Sequence, residues 1–276
     1  MQTGSRLGPL GTKASEWLRQ HWGPIAEVRT SGPVVALTFD DGPDPRSTPK
    51  LLQILARHSA HATFFMVGKS AAQYPEIVAQ AAAAGHAVGL HSWDHPSFPL
   101  ISGKERRQQL RACARALAPH GTGLFRPPFG QVTPQVQYDV WRVGYQTITW
   151  NLDSGDWRND DAKSIADSLS ARIRPGCIVL LHDALYTTSD NRFCNREPTL
   201  EAVNVVLGRL SGRFRFASLP ELLRQGPPER GNWRCDATAE FFNRLVGPDG
   251  KAVRQYARAG APTSRGASSN PSGRPV

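Results

Sequence analysis

From residue 34 to residue 224 the chain alternates between short apolar runs and longer amphipathic segments, and this alternation restricts the fold more than any other feature. The runs lie at 34–40, 62–67, 87–91, 123–126, 146–151, 177–182 and 214–217. Two of them, Ala62-Thr63-Phe64-Phe65-Met66-Val67 and Cys177-Ile178-Val179-Leu180-Leu181-His182, are too short for core helices and read as buried strands. Segments of helical period follow at 47–58, 74–84, 103–117, 133–143, 162–173, 199–210 and 219–224. In the first, Leu51, Leu52, Ile54 and Leu55 supply the buried face. Gly85 ends the second and Pro175-Gly176 the fifth. Strands that alternate strictly with helices form a parallel sheet with the helices outside. Seven such units in this length suit an irregular α/β barrel better than an open sheet, although the pattern alone does not close the barrel.

The flanks lack this rhythm. Residues 1–32 are mixed and read as an N-terminal extension with a short helix near 14–21. Residues 33–225 form the regular domain, and 226–276 a C-terminal extension with one helix around 236–246. Its last stretch, 261–276, is Pro, Ser, Gly and Arg and is expected to be disordered. A net charge of +10 invites an anionic partner. However, 27 of the 33 basic residues are Arg, and Ala, Gly and Pro are also abundant, which points to a coding bias. No basic stripe interleaved with aromatics appears, so nucleic acid is not the expected partner. Cys113, Cys177, Cys194 and Cys235 lack metal-binding spacing and read as free thiols. Met1–Gly23 holds no apolar core of signal-peptide length, and no stretch approaches the roughly 18 apolar residues of a membrane span. A soluble, cytoplasmic protein is the default expectation, with an unusual export route left open and the oligomeric state undecided.

In a parallel barrel the site forms at the C-terminal ends of the strands. Ionisable residues fall at five of the seven tips: Asp40-Asp41, His91-Ser92-Trp93-Asp94-His95, Arg126, Asp153-Ser154-Gly155-Asp156-Trp157 and His182-Asp183. A barrel built for packing alone has no reason for this. Asp40-Asp41-Gly42-Pro43 could be a solvated pair in a turn, since Asp and Gly are common turn residues. Equally, two adjacent carboxylates raise one another's pKa or need a cation between them. His91 and His95 could be core-satisfied histidines. Pro96 biases residue 95 away from helical backbone, so the two do not share a helix face. Two His and one carboxylate with an open position also fit a catalytic zinc or similar divalent ion.

In order and spacing the five stretches resemble the five motifs of the polysaccharide deacetylases (carbohydrate esterase family four, the NodB homology domain). Thr38-Phe39-Asp40-Asp41-Gly42 is similar to the first and His91-Ser92-Trp93-Asp94-His95 to the second. Arg126-Pro127-Pro128-Phe129 is similar to the third, with Phe where Tyr is more usual. Asp153 to Trp157 is similar to the fourth and Leu180-Leu181-His182 to the fifth. The resemblance spans about residues 33–224 and implies a distorted (β/α)7 barrel. It implies one divalent ion, zinc first with cobalt or manganese as alternatives, held by Asp41, His91 and His95. It implies Asp40 as general base, oriented by Arg126, and His182 as general acid, oriented by Asp156. The backbone N–H of Phe129 would steady the oxyanion, and Trp157 and Leu180 would wall the acetyl pocket. The activity so implied removes N-acetyl groups from N-acetylglucosamine units of an oligo- or polysaccharide. The alternatives are O-deacetylation of a polymer such as xylan, another amide or imide hydrolysed on the same barrel, and a catalytically silent carbohydrate-binding barrel. The long polar loop 183–198 is a further candidate for sugar contact, with Tyr186 and Phe193 as stacking rings. His21, His58, His61, His86 and His120 are assigned no role.

Overall fold

A computed structural model describes residue 16 and residues 20–158, 161–187 and 194–235. The expected helices near 14–21 and 236–246, the tail 261–276 and Phe193 fall wholly or largely outside these residues. The strands are β1 (Ile25–Val28), β2 (Val34–Asp40), β3 (Thr63–Met66), β4 (Ala87–Leu90), β5 (Gly121–Phe125), β6 (Gln146–Thr147), β7 (Leu152–Asp153), β8 (Ile178–His182), β9 (Arg215–Phe216) and β10 (Pro228–Arg230). The helices are α1 (Thr48–Arg57), α2 (Gly68–Gln73), α3 (Pro75–Ala83), α4 (Gly103–Leu117), α5 (Pro134–Arg142), α6 (Ala162–Arg172), α7 (Glu197–Leu210) and α8 (Leu219–Leu223).

The main sheet runs β6-β5-β4-β3-β2-β8-β7, and β9 pairs with the start of β2. All of these pairs are parallel. The end strands β6 and β7 belong to one segment, 146–153. Its first residues pair with β5 and its last with β8, so the sheet curls back on itself through an irregular fifth strand. The sequence predicted that strand as a single run over 146–151. It breaks because two different neighbours must be served along its length. The other six strands lie within two residues of their expected positions, and the α/β barrel architecture agrees with the pattern of alternation.

Strand side chains alternate between two apolar layers. Val35, Leu37 and Phe39 of β2 join Leu51, Leu55, Leu200 and Val203 of the helices in the outer layer. Val34 and Ala36 join Phe65, Leu124, Ile148 and Ile178 inside the barrel. By the same period of two, Thr38 and Asp40 turn inward at the tip of β2. The inner layer is therefore apolar at one end and polar at the other, which sets where chemistry can occur.

Two features lay outside the sequence reading. One is α2, inserted ahead of α3. The other is a two-stranded antiparallel sheet of β1 with β10, which joins residues from the two flanks. β1 also bridges to Ile148 and Cys177, and Val132 bridges to Arg234. Gly176 lets β1 lie this close: its φ is +83°, and a Cβ there would stand 1.9 Å from the Val28 carbonyl oxygen. Among the described residues no helix is long and apolar enough to cross a membrane.

Candidate metal centre and active site

Asp41 follows the last residue of β2 and is buried, with φ at +76°. His91 follows β4, and His95 lies four residues on with φ at +61°. The residue before Pro96 therefore adopts left-handed backbone, away from the helical form, as a residue before proline is biased to be. Ser92 and Phe129 are also left-handed, at +68° and +59°. Four of the five described non-glycine residues with positive φ thus crowd around one spot. Backbone strain of this kind persists only where the surroundings hold it, and it gathers at functional sites.

That spot brings together Asp41, His91 and His95, whose ligand atoms all lie within 4.8 Å of one another. Asp41 Oδ1 is 3.2 Å from the Nε2 of His91 and 3.2 Å from the Nε2 of His95. It is buried yet engaged in no hydrogen bond. An oxygen and two imidazole nitrogens converging in this way suit a cation better than a proton. The rest of the geometry fits the same purpose. His91 Nδ1 is 2.8 Å from the Arg126 carbonyl oxygen, a bond that fixes the tautomer and leaves Nε2 as the donor atom. Asp41 Oδ2 accepts from the backbone N–H of Tyr186 at 3.0 Å. Burial pushes the His95 imidazole below its ordinary pKa, which favours the neutral form that a metal would need. Burial alone would raise the Asp41 carboxyl, but the imidazoles of His95 and His91 outweigh it and hold it well below the usual range.

On one side of the triad stands Asp40. Its Oδ1 accepts from Arg126 Nη1 at 2.7 Å, and its Oδ2 lies 3.9 Å from His91 Nε2. Arg126 has no exposed surface. Nη1 also reaches Thr38 Oγ1 at 2.8 Å, Nη2 reaches the Thr149 carbonyl at 3.1 Å, and the guanidinium lies 4.2 Å from the centre of the Phe65 ring. Burial lowers its pKa from the ordinary value, and the Asp40 carboxylate opposes this. Arg126 thus serves both halves of the site, with its carbonyl on His91 and its side chain on Asp40.

On the other side stands His182, the Cα partner of Asp40 across β8 and β2. Its Nδ1 is 2.8 Å from Asp156 Oδ1, and its backbone N–H donates to Asp156 Oδ2 at 2.9 Å. Burial pulls the His182 pKa down, but the Asp156 carboxylate more than reverses this and lifts it to about 9. Burial likewise raises Asp156, and His182 together with Arg196 brings it down to about 2. Leu180 is 3% exposed on β8 and belongs to neither apolar layer. It points to the same side as His182. Trp157, on the single turn after β7, is 40% exposed. Phe129 packs its ring 4.6 Å from that of His95. Tyr186 lies 6.1 Å from His95 by ring centroids.

Several contacts at the site were not legible in the sequence, although Asp183 itself was noted at a strand tip. Arg196 and Thr199 hold Asp156 from the start of α7. Asp183 is buried against Gly42, where a Cβ would stand 2.3 Å from its Oδ2, and it accepts from Thr48 Oγ1. Burial pushes the Asp183 carboxyl up to about 7. The Tyr186 N–H and the Arg126 carbonyl are backbone groups, which leave no mark in a sequence. Arg196 is one of 27 arginines, in a loop whose spacing carries no periodic signal.

Known proteins resemble the chain along most of its length. The polysaccharide deacetylase family model matches residues 27–148. The chain is 33% identical to a chitooligosaccharide deacetylase of Azorhizobium caulinodans over 210 residues, which is 72% of this chain and 98% of that one. It is 30% identical to a peptidoglycan-N-acetylglucosamine deacetylase of Bacillus cereus, covering 75% of this chain and 77% of that one. The fold matches the crystal structure of a peptidoglycan N-acetylglucosamine deacetylase with a TM-score of 0.68, at 27% identity and over 78% and 98% of the two chains. With a barrel of this topology, and with the five motifs gathered at one mouth, the chain belongs to the polysaccharide deacetylase family of hydrolases.

Proposed function

We propose that the chain is a metal-dependent N-deacetylase acting on N-acetylglucosamine units of an oligo- or polysaccharide, of the chito-oligosaccharide or peptidoglycan class. The supporting observation is the three-part mouth: Asp41, His91 and His95 at its centre, Asp40 with Arg126 on one flank, His182 with Asp156 on the other. A divalent ion held by Asp41, His91 and His95, zinc by the mixed nitrogen and oxygen donors, would supply Lewis acidity to the acetamide carbonyl and acidity to water.

The side chains do the rest. Arg126 holds Asp40 Oδ1, so Asp40 Oδ2 is the oxygen that takes the proton from the attacking water. Asp40 lies beside the ligands without being one, which keeps it free to act as a base. The Phe129 N–H joins in stabilising the oxyanion. His182 keeps Nδ1 on Asp156 and gives the Nε2 proton to the leaving nitrogen. Acetate and a free amine result. Leu180 and Trp157 wall the space for the acetyl methyl group. A silent carbohydrate-binding barrel would have no need of both the base and the acid, each with its own ionic partner.

The test is acetate release from chito-oligosaccharide, peptidoglycan and acetylxylan, with and without a chelator. We expect release from an N-acetylated substrate, abolished by chelation and restored by zinc. Release from acetylxylan alone would move the assignment to O-deacetylation. No acetate from any substrate with zinc, cobalt or manganese added would refute the enzymatic reading.

A further inference from the structure

Among the described residues only two arginines are buried, Arg126 and Arg196. Each binds a carboxylate at the barrel mouth, Arg126 that of Asp40 and Arg196 that of Asp156. The first pairing is part of the motif pattern. The second is not.

Arg196 ties the surroundings of His182 together. Its Nη2 donates to Asp156 Oδ2 at 2.7 Å, to the Asp156 backbone carbonyl at 3.1 Å and to Thr199 Oγ1 at 2.6 Å. Its Nε is 3.4 Å from the His182 carbonyl oxygen. Asp156 Oδ2 further accepts from the His182 N–H and from Thr199 Oγ1 at 3.1 Å, while Oδ1 takes Ser154 Oγ at 3.0 Å and faces His182 Nδ1. A carboxylate has about four lone-pair directions, so this one is saturated and cannot rotate without breaking bonds. Its setting is also electrically demanding. Asp40 and Asp41 also act electrostatically on His182, together with Asp156. When His182 gives up its proton, Asp156 would be left as a buried anion beside a neutral ring. A permanent neighbouring cation keeps that carboxylate ionised and in place until the proton returns.

We propose that Arg196 is the positioning residue of the general acid: it fixes the Asp156 carboxylate so that Oδ1 alone is presented to the His182 ring. This deepens the deacetylase reading and rests on it. The test is a double-mutant cycle of Arg196→Gln with Asp156→Asn in the zinc-loaded protein, with chito-oligosaccharide as substrate. Arg196→Gln should lower kcat by about 10- to 100-fold at unchanged KM, as expected of a group acting only on the chemical step. Arg196→Lys should recover part of the loss. In the Asp156→Asn background the same Gln change should cost less than about twofold. Equal losses in both backgrounds would overturn the proposal, since a merely structural arginine would be missed in either. Should Arg196→Gln not fold, Thr199→Val removes another donor from the same oxygen and should give a smaller loss in the same direction.

A second measurement does not depend on turnover. The His182 Nδ1 proton, held by Asp156, should give a downfield proton resonance in the wild type and in Arg196→Lys, and it should broaden or vanish in Arg196→Gln. Its survival in Arg196→Gln would refute the positioning role. A wild type without activity would instead refute the deacetylase reading, leaving the resonance to decide this one.

Discussion

Under the proposed mechanism, replacing Asp156 with Asn removes the charge that keeps the His182 ring protonated, and the size of the effect follows from the geometry. In the wild type the Asp156 carboxylate outweighs burial and holds the His182 pKa at about 9. At pH 8 roughly 90% of the ring is then protonated. Without the carboxylate, burial is opposed only by Asp41 and Asp40, which contribute less than Asp156, so the pKa falls toward the ordinary imidazole value of 6.5. At that value only about 3% stays protonated at pH 8. Protonation alone therefore predicts a loss of up to about thirtyfold at pH 8, shrinking as the pH is lowered. The assay is kcat/KM on chito-oligosaccharide from about pH 6 to 10 with saturating zinc, alongside a proton NMR titration of His182. The alkaline limb should move down by about one to two units, toward the ordinary imidazole value. The variant should also be less stable, on the order of 3–5 kcal/mol, because Arg196 loses its buried partner. Measurements therefore belong well below its melting temperature. An alkaline limb that stays in place, or a His182 titration that does not move, would refute the argument that Asp156 sets the acid.

Other outcomes separate the remaining roles. Asp40→Asn should bind zinc as the wild type does in a chelator-competition titration yet lose about 10²- to 10⁴-fold in turnover. Near-normal turnover would show that another group is the base. His91→Ala should lose zinc binding and turnover together, because its Nε2 is one of the three converging donor atoms. Gly176→Ala should act through stability alone. Its backbone is left-handed and the new Cβ would press on the Val28 carbonyl. Those two effects sum to about 2–5 kcal/mol, or on the order of 10 °C in melting temperature. Zinc affinity should be unchanged, and an unchanged melting temperature would show that β1 is not held as described.

Much of the site was legible because its residues sit at strand tips. Asp40, Asp41, His91, Arg126 and His182 each end or follow an apolar run, and the parallel architecture brings those ends together. Asp156 and His95 lie in the turns just beyond. Arg196 escaped notice, and Asp183 was noted only as part of a strand tip without its partners, for a physical reason. Their partners are 40 and 135 residues away along the chain, and no local period relates them. The break in the fifth strand escaped for a similar reason: its apolar residues look continuous, and only its two different neighbours divide it.

The sequence by itself determined the kind of fold and the inventory of the site. Alternating periods of two and 3.6 leave few ways to bury both strand faces, and chemistry-bearing side chains collect where the strands end. Tertiary structure decided how the two acids of the pair Asp40-Asp41 differ. Asp40 points into the barrel, where Arg126 occupies one of its oxygens. Asp41 turns through left-handed backbone and puts Oδ1 between two imidazoles. Adjacent identical residues carry no such distinction in sequence, because it arises from which buried partners the folded chain places against each oxygen.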